Sequence, residues 1–414
     1  MKKIYLLSLF LFIMLASQAQ YSWVNKNPLT AGARCAATAF SSNNLGYLVG
    51  GFTQYPGVWV NEVWAYSPST DSWTQKNSFP YANAGAASLS FGDSTFVIGG
   101  YIGSGNLSNS NHVYNTASDS WTPKASFPAT GISGPFQFVI NGIGYLGAGE
   151  RQGANTSTTV YSYNPTFDSW NQVANYPESV EGMVGFAIDS LGYAGLGGDG
   201  SNHLSSGFYK YSPTANTWTA IAAFPGELRN SALAFVLNGK AYVGGGWTTI
   251  PNNISVIYDL GDFYEYDPAS DTWAPVPGFP GRARQDFSAF TVNGGAYVIG
   301  GYNDNLGGTV STVNEFGTCS ILTGILPISG GNNKAGIEIY PNPSTNDVNV
   351  KILTDVTSEM KYEVVSVDGK LIKKGTTRQS NFGFNANNFA DGVYILTITD
   401  GNGTQGAERF EVMH

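Results

Sequence analysis

The sequence predicts an all-β chain, and three observations carry that prediction. Only 12% of the 414 residues are charged, while 52 are glycine and 14% aromatic, the profile of many short strands joined by turns. A tryptophan-bearing phrase recurs about every fifty residues through most of the chain. Residues 337–414 instead alternate apolar and polar side chains in period two.

With 42% hydrophobic residues the chain can bury a sizeable core, and at this length more than one domain is expected. The formal net charge is -9 and no Lys/Arg run interrupts the acidic balance, so nucleic acid is not an expected partner. The start, "MKKIYLLSLFLFIMLASQAQ", has a basic beginning at Lys2 and Lys3, an apolar run from Ile4 to Leu15 and small residues at Ser17 and Ala19. That is the pattern of a secretory signal peptide spanning 1–19, and its apolar run is too short for a membrane anchor. No other segment is apolar enough to span a bilayer. Cys35 and Cys319 flank the repeat region and allow one disulfide in an oxidising compartment, with two free thiols the favoured reading.

The phrase reads "AYSPSTDSWTQKNSFP" at 65–80 and "VYNTASDSWTPKASFP" at 113–128. Aligned on its tryptophan it gives Trp73, Trp121, Trp170, Trp218 and Trp273, spaced by 48, 49, 48 and 55 residues. A tyrosine stands seven residues before each one: Tyr66, Tyr114, Tyr163, Tyr211 and Tyr266. Four of these open a Tyr-x-Pro and the rest of the turn is Asp, Asn or Ser, so each phrase predicts strand, tight turn, strand. Upstream lies a second signature: "YLVGG" (47–51), "FVIGG" (96–100), "YLGAG" (145–149), a looser "YAGLGG" (193–198), "YVGGG" (242–246) and "YVIGG" (297–301). An apolar strand such as "SALAFVL" (231–237) or "FSAFTV" (287–292) precedes it, which makes four strands per unit. The glycine pair is read as letting the bulky Tyr and Trp approach backbone closely. A lone four-stranded sheet leaves both faces uncovered, so the copies are expected to close into a ring.

These marks resemble the kelch repeat, and the resemblance covers 20–318. The sixth glycine pair, Gly300 and Gly301, is followed by no tryptophan, whereas "YSWVNKNP" (21–28) carries Trp23 fifty residues before Trp73. The expectation is therefore a six-bladed kelch β-propeller whose last blade is completed by the N-terminal strand. Residues 319–336 read as a linker. Beyond it, "DVNVKIL" (347–353), "KYEVVSV" (361–367) and "GVYILTI" (392–398), separated by Asp-Gly turns, predict a small antiparallel β-sandwich. Its "IEIYPNPS" (337–344), "SVDGKLIKKG" (366–375) and "FADGVYILTIT" (389–399) resemble the type A sorting domain of the type IX secretion system of Bacteroidota. The resemblance implies export, a partnership between 337–414 and that secretion machinery, and a final place in the medium or on the outer cell surface.

Catalytic motifs are scarce. Kelch propellers include a copper radical oxidase, but His112, His203 and His414 are scattered and neither cysteine lies beside a tyrosine, so no metal and no cofactor are expected. No phosphate-binding loop or nucleophile elbow appears. Another kelch relative, a sialic acid mutarotase, would need a carboxylate and a cation at one pore mouth, for which Glu227 and Arg229, with Glu181, are the candidates.

Six residues before the inner-strand Phe40, Phe235 and Phe290 stand Arg34, Arg229 and Arg284. They open on the same face as the loops that begin with Phe52, Tyr101, Glu150, Trp247 and Tyr302. Guanidinium forks ringed by aromatics suit carboxylates, sugars or peptide ends. A structural role stands beside this one, with the arginines hydrogen-bonding loop carbonyls and the aromatics packing on the next blade. The lengthened loop at 245–263 tilts the balance toward binding. The expected function is a secreted or surface propeller that binds a glycan or surface protein without catalysis of its own. The alternatives are a mutarotase-like enzyme and a structural surface component.

Overall fold

A computed structural model describes residues 21–318 and 337–412, apart from short stretches at 54–56, 104, 154–155, 251–252, 282, 304–307, 341–343, 354–355, 357, 367–370, 391 and 400–404. The expected leader at 1–19, the expected linker at 319–336 and Cys319 lie outside these residues. The chain divides into two compact units, 1–319 and 320–414.

The described residues of the first unit contain six four-stranded antiparallel sheets. In the first blade Thr38–Ser42, Leu45–Val49, Val63–Ser67 and Ser72–Lys76 run from the inner edge to the outer one. The other inner strands are Ala87–Phe91, Phe136–Ile140, Val184–Ile188, Leu233–Leu237 and Ser288–Val292, and each neighbours the next, the last returning to the first. The sixth blade ends on Tyr21–Lys26, which pairs antiparallel with Val313–Thr318 and places Trp23 opposite Phe316. A core cluster lies between each pair of successive blades, including one that joins Phe290, Tyr297 and Val313 of the sixth to Leu48 and Tyr66 of the first.

The repeated phrase is an inter-blade fastener. Two residues before its tryptophan an Asp or Asn takes a positive φ, near 50° at Asp71, Asp119, Asp168, Asn216 and Asp271. Its side chain accepts the hydroxyl of the phrase's own tyrosine, as in Tyr66 to Asp71 at 2.6 Å and Tyr266 to Asp271 at 2.8 Å. The same oxygen accepts a backbone N–H from the preceding blade, for instance Asn77 to Asp119 at 3.0 Å. The indole N–H then donates to a carbonyl of that preceding blade: Trp121 to Asn77, Trp170 to Ala125, Trp218 to Ala174 and Trp273 to Ala222, at 2.9–3.1 Å. Phe79, Phe127, Tyr176 and Phe224, six residues beyond a tryptophan, meet the next blade's indole edge-to-face. Trp23 repeats this pattern from the other end of the chain, donating to Pro277 O at 2.9 Å and packing on Phe263, Phe279 and Phe316.

The glycine pair performs the expected task only in part. Both glycines take positive φ, 66° and 98° at Gly50 and Gly51, and a Cβ on Gly50 would lie 2.2 Å from the carbonyl of Asn83 in the next blade. In the first blade what approaches them is chiefly backbone, while in the fifth the Phe287 ring lies 2.1 Å from where a Cβ on Gly245 would be. Ring contact also falls on the glycine before Tyr47 and Tyr193: a Cβ on Gly46 would sit 2.0 Å from Phe290, and one on Gly192 2.2 Å from Phe138.

The second unit is a sandwich of a three-stranded and a four-stranded antiparallel sheet around Val348, Val350, Val364, Leu396, Ile398 and Phe410. No helix in the described residues is long and apolar enough to cross a membrane.

Replacing Trp23 by Ala should destabilise the propeller by about 2–4 kcal/mol, because it removes an aromatic cluster and an inter-blade bond at one seam of the ring. Thermal melting of the full chain checks this, and a melting temperature within a degree of wild type would contradict closure by the N-terminal strand.

Candidate functional site

The site follows from how each blade ends at one mouth of the ring. The residue after the second glycine forms an antiparallel bridge to the residue leading into the inner strand: Cys35 with Phe52, Ala84 with Tyr101, Glu181 with Gly198, Asn230 with Trp247 and Gln285 with Tyr302. In the third blade the same place is a two-residue pairing of Ser133 with Glu150. Phe52, Tyr101, Glu150, Trp247 and Tyr302 therefore occupy equivalent positions around one mouth, all half-buried. Phe52 is tilted against Trp59, and Tyr101 donates its hydroxyl to Glu150.

Inside this layer runs a ring of backbone in the left-handed conformation, made by Ala36, Gly85, Gly134, Gly182, Ser231 and Asp286. The N–H of Gly85 donates to Ala36 O, Gly182 to Gly134 O and Ser231 to Gly182 O, at 2.8–3.0 Å. On it sits Glu181, whose carboxyl lies 3.7 Å from where a Cβ on Gly134 would be. Burial pushes the Glu181 carboxyl up to about 7; Glu150 and Asp286 add to the rise, and a hydrogen bond from the Asn230 side-chain amide opposes it. Burial also raises the Tyr101 hydroxyl, with Glu150, Glu181 and Asp286 acting on it as well. Groups from the second, third, fourth and sixth blades thus feel one another across the mouth.

The arginines do not join this group. Arg34, Arg229 and Arg284 are buried, at 1%, 0% and 5% exposure. Each donates from Nη1 to the carbonyl of the first glycine of its own blade: Arg34 to Gly50 at 3.3 Å, Arg229 to Gly245 at 3.2 Å and Arg284 to Gly300 at 3.0 Å. Asn83 does the same for Gly99 at 2.7 Å in the second blade. Arg34 also pairs with Glu62 at 2.8 Å, Arg284 donates to Thr312 at 2.7 Å, and Arg229 grips Asp262 with both Nη atoms at 2.8 and 2.9 Å. Burial alone would raise Asp262, but the Arg229 fork overcomes it and holds the carboxyl below its usual value. The forks expected at the mouth are thus engaged within the blades.

Glu227 and Arg229 do not converge as an acid and a cation either. Only the Glu227 carbonyl meets Arg229, at 2.9 Å from Nε, while its exposed carboxylate accepts the Tyr258 hydroxyl. Of the three mutarotase candidates, the structure keeps Glu181 at the mouth. Sequence reasoning passed over Asn230 and Gln285, which share the register of Glu181 just ahead of each inner strand, and Asp286, which stands one residue further on. Cys35 is a buried free thiol, and no group of metal ligands occurs among the described residues.

Comparison with known families matches the kelch motif at 33–80 and 82–128 and a secretion system C-terminal sorting domain at 338–410. This chain is a kelch-repeat propeller with a secretion sorting domain. The kelch protein is thereby directed through the type IX system to the medium or the outer cell surface. A further model, N-acetylneuraminate epimerase, matches 173–315. Among solved structures the propeller is similar to one titled "Structure of YjhT", at 16% identity and a TM-score of 0.61 over 70% of this chain and 95% of that one, a likeness of fold. No curated protein matches the sequence.

The raised Glu181 carboxyl predicts a pH signature. Its folded value, about 7, lies above the ordinary 4.5, so the folded protein binds the extra proton and loses stability as pH climbs from 4.5 to 7. Glu181→Gln, which stays neutral, should gain about 1–3 kcal/mol on wild type between pH 5 and pH 8. Denaturant melts at both pH values measure it, and a gap that does not change with pH would contradict the assignment.

Proposed function

We propose that the exported kelch propeller binds a carbohydrate at this mouth, without catalysis of its own. The observation that carries the reading is the convergence of Glu150, Glu181, Asp286 and Asn230 inside a layer that includes Phe52, Tyr101, Trp247 and Tyr302. Carboxylates and amides accept and donate to sugar hydroxyls in pairs, and half-buried aromatic faces cover the apolar faces of sugar rings. The burial of Arg34, Arg229 and Arg284 shifts the expected ligand from an acidic sugar toward a neutral one.

A glycan array probed with the full chain is the test. Trp247→Ala and Tyr302→Ala should each weaken binding of the best neutral glycan about tenfold, or ~1.4 kcal/mol, without lowering the melting temperature. Absence of any glycan binding, or variants that bind as wild type does, would reject the reading.

A second reading, anomer interconversion, is favoured by the epimerase match across 173–315 and by a carboxyl poised near 7 within that span. Glu181 would then pass a proton to and from the ring oxygen or anomeric hydroxyl. Proton NMR of N-acetylneuraminate, and of neutral sugars, separates the two. Acceleration lost in Glu181→Gln supports the enzyme, and unchanged anomer exchange supports binding alone.

A further inference from the structure

Three blades can be compared at one register of their second and third strands. Tyr242 stands opposite Glu265 in the fifth blade and Tyr297 opposite Glu315 in the sixth, whereas in the second Phe96 stands opposite Val113. In the fifth and sixth the carboxylate is saturated from within. Tyr242 and Lys240 donate to Glu265 at 2.7 and 2.6 Å, and Tyr297 and Lys26 donate to Glu315 at 2.9 and 2.7 Å. The second blade keeps the cation without the acid. Lys26 pairs in its strand with the residue two before Glu315, and Lys124 pairs with Asn111, the residue two before Val113. Among the described residues no carboxylate meets the half-buried Lys124 ammonium.

The exchange comes with open space. A groove of about 310 Å³ lies between the second and third blades, lined by Phe91, Phe96, Val113, Pro165 and Lys124, with Ser94 and Thr166 adding hydroxyls to its wall. That is the size of the smaller sites for organic ligands, which start at ~300 Å³. Phe91 and Ser94 flank the turn between the first two strands of their blade, and Pro165 and Thr166 belong to the turn between the last two of theirs. The groove therefore opens at the end of the blades away from the mouth. The third blade also departs from the repeat at this place. The residue before the turn Asp or Asn is Thr70, Ser118, Ala215 or Ser270 in the other phrases, but here it is Phe167, next to Thr166 and 76% exposed. Fastening the blades needs neither that exposed ring nor an unpaired cation in an apolar groove.

We propose that this groove is a second binding site, which takes a small organic acid with an apolar body. Its carboxylate meets Lys124 where the sixth blade places Glu315 against Lys26, and its body lies against Phe91, Phe96 and Pro165. The charge-assisted bond to the ammonium gives orientation, and the aromatic walls give the contact area. A bare inorganic anion would leave those walls uncovered, and an uncharged apolar molecule would leave the ammonium without its acid. The site is independent of the carbohydrate reading, because it shares no residue with the mouth.

The test is calorimetric titration of the full chain with phenylacetate, and with phenylacetamide as the uncharged match in shape. Phenylacetate should saturate the protein with a Kd of about 1 mM, in keeping with a ligand of its size. Phenylacetamide should bind at least about tenfold more weakly. Lys124→Met keeps most of the stem and removes the charge, so it should bind acid and amide equally weakly while melting as wild type does. Phe96→Tyr combined with Val113→Glu rebuilds the arrangement of the sixth blade inside the second and should abolish binding of the acid. Lack of saturable binding by wild type, equal affinity for acid and amide, or a Lys124→Met variant that binds the acid as wild type does would overturn the proposal.

Discussion

The structure depends on one repeated hydrogen bond. The second glycine of each blade donates its N–H to the carbonyl of the residue at the arginine position in the next blade. Gly51 reaches Asn83, Gly100 reaches Ile132, Gly149 reaches Val180, Gly197 reaches Arg229, Gly246 reaches Arg284 and Gly301 returns to Arg34, at 2.7–2.9 Å. The last bond joins the end of the repeat region to its beginning, so the belt has no free end. It requires two backbones to meet, and a Cβ on Gly300 would come within 2.3 Å of Arg34 O. Glycine relieves that contact in four blades, while Ala148 and Leu196 hold the same place at positive φ in the third and fourth.

Everything near the mouth is organised by this belt. The first glycine's carbonyl, turned inward as the chain bends, is left without a strand partner and is capped by Arg34, Asn83, Arg229 or Arg284. A buried carbonyl left unmade is costly, and a guanidinium can cap it while gripping a carboxylate. The residue after the second glycine is then fixed by its bridge, which is why Phe52, Tyr101, Glu150, Trp247 and Tyr302 share one layer. The outer fasteners of Tyr, Asp and Trp hold the opposite side of each blade at the matching spacing. Together they leave the mouth as the place where side chains from most blades meet without being needed to hold the ring.

Much of this was legible in the sequence. The period of the tryptophans and the missing strand after Gly301 give both the unit and the source of its completion, because each rests on a spacing rather than on a propensity. The alternation in 347–353, 361–367 and 392–398 gives the sandwich in the same way. The arginines were harder to read. Their register is visible, but their partners Glu62 and Asp262 stand 28 and 33 residues away, and only the fold shows that an acid ahead of the third strand faces an arginine ahead of the first. The glycine pair was read only in part, because a pattern shows that close approach is needed without showing that it is mainly the next blade's backbone that approaches.

The closed belt is tested most directly by amide hydrogen exchange on the full chain. If the ring is continuous, the amides of Gly51, Gly100, Gly149, Gly197, Gly246 and Gly301 exchange only through global opening of the propeller, with Gly301 as protected as the other five. If Gly301 exchanges through local opening, orders of magnitude faster than Gly100 or Gly149, the ring is not held shut between its last blade and its first, and the account fails at its centre.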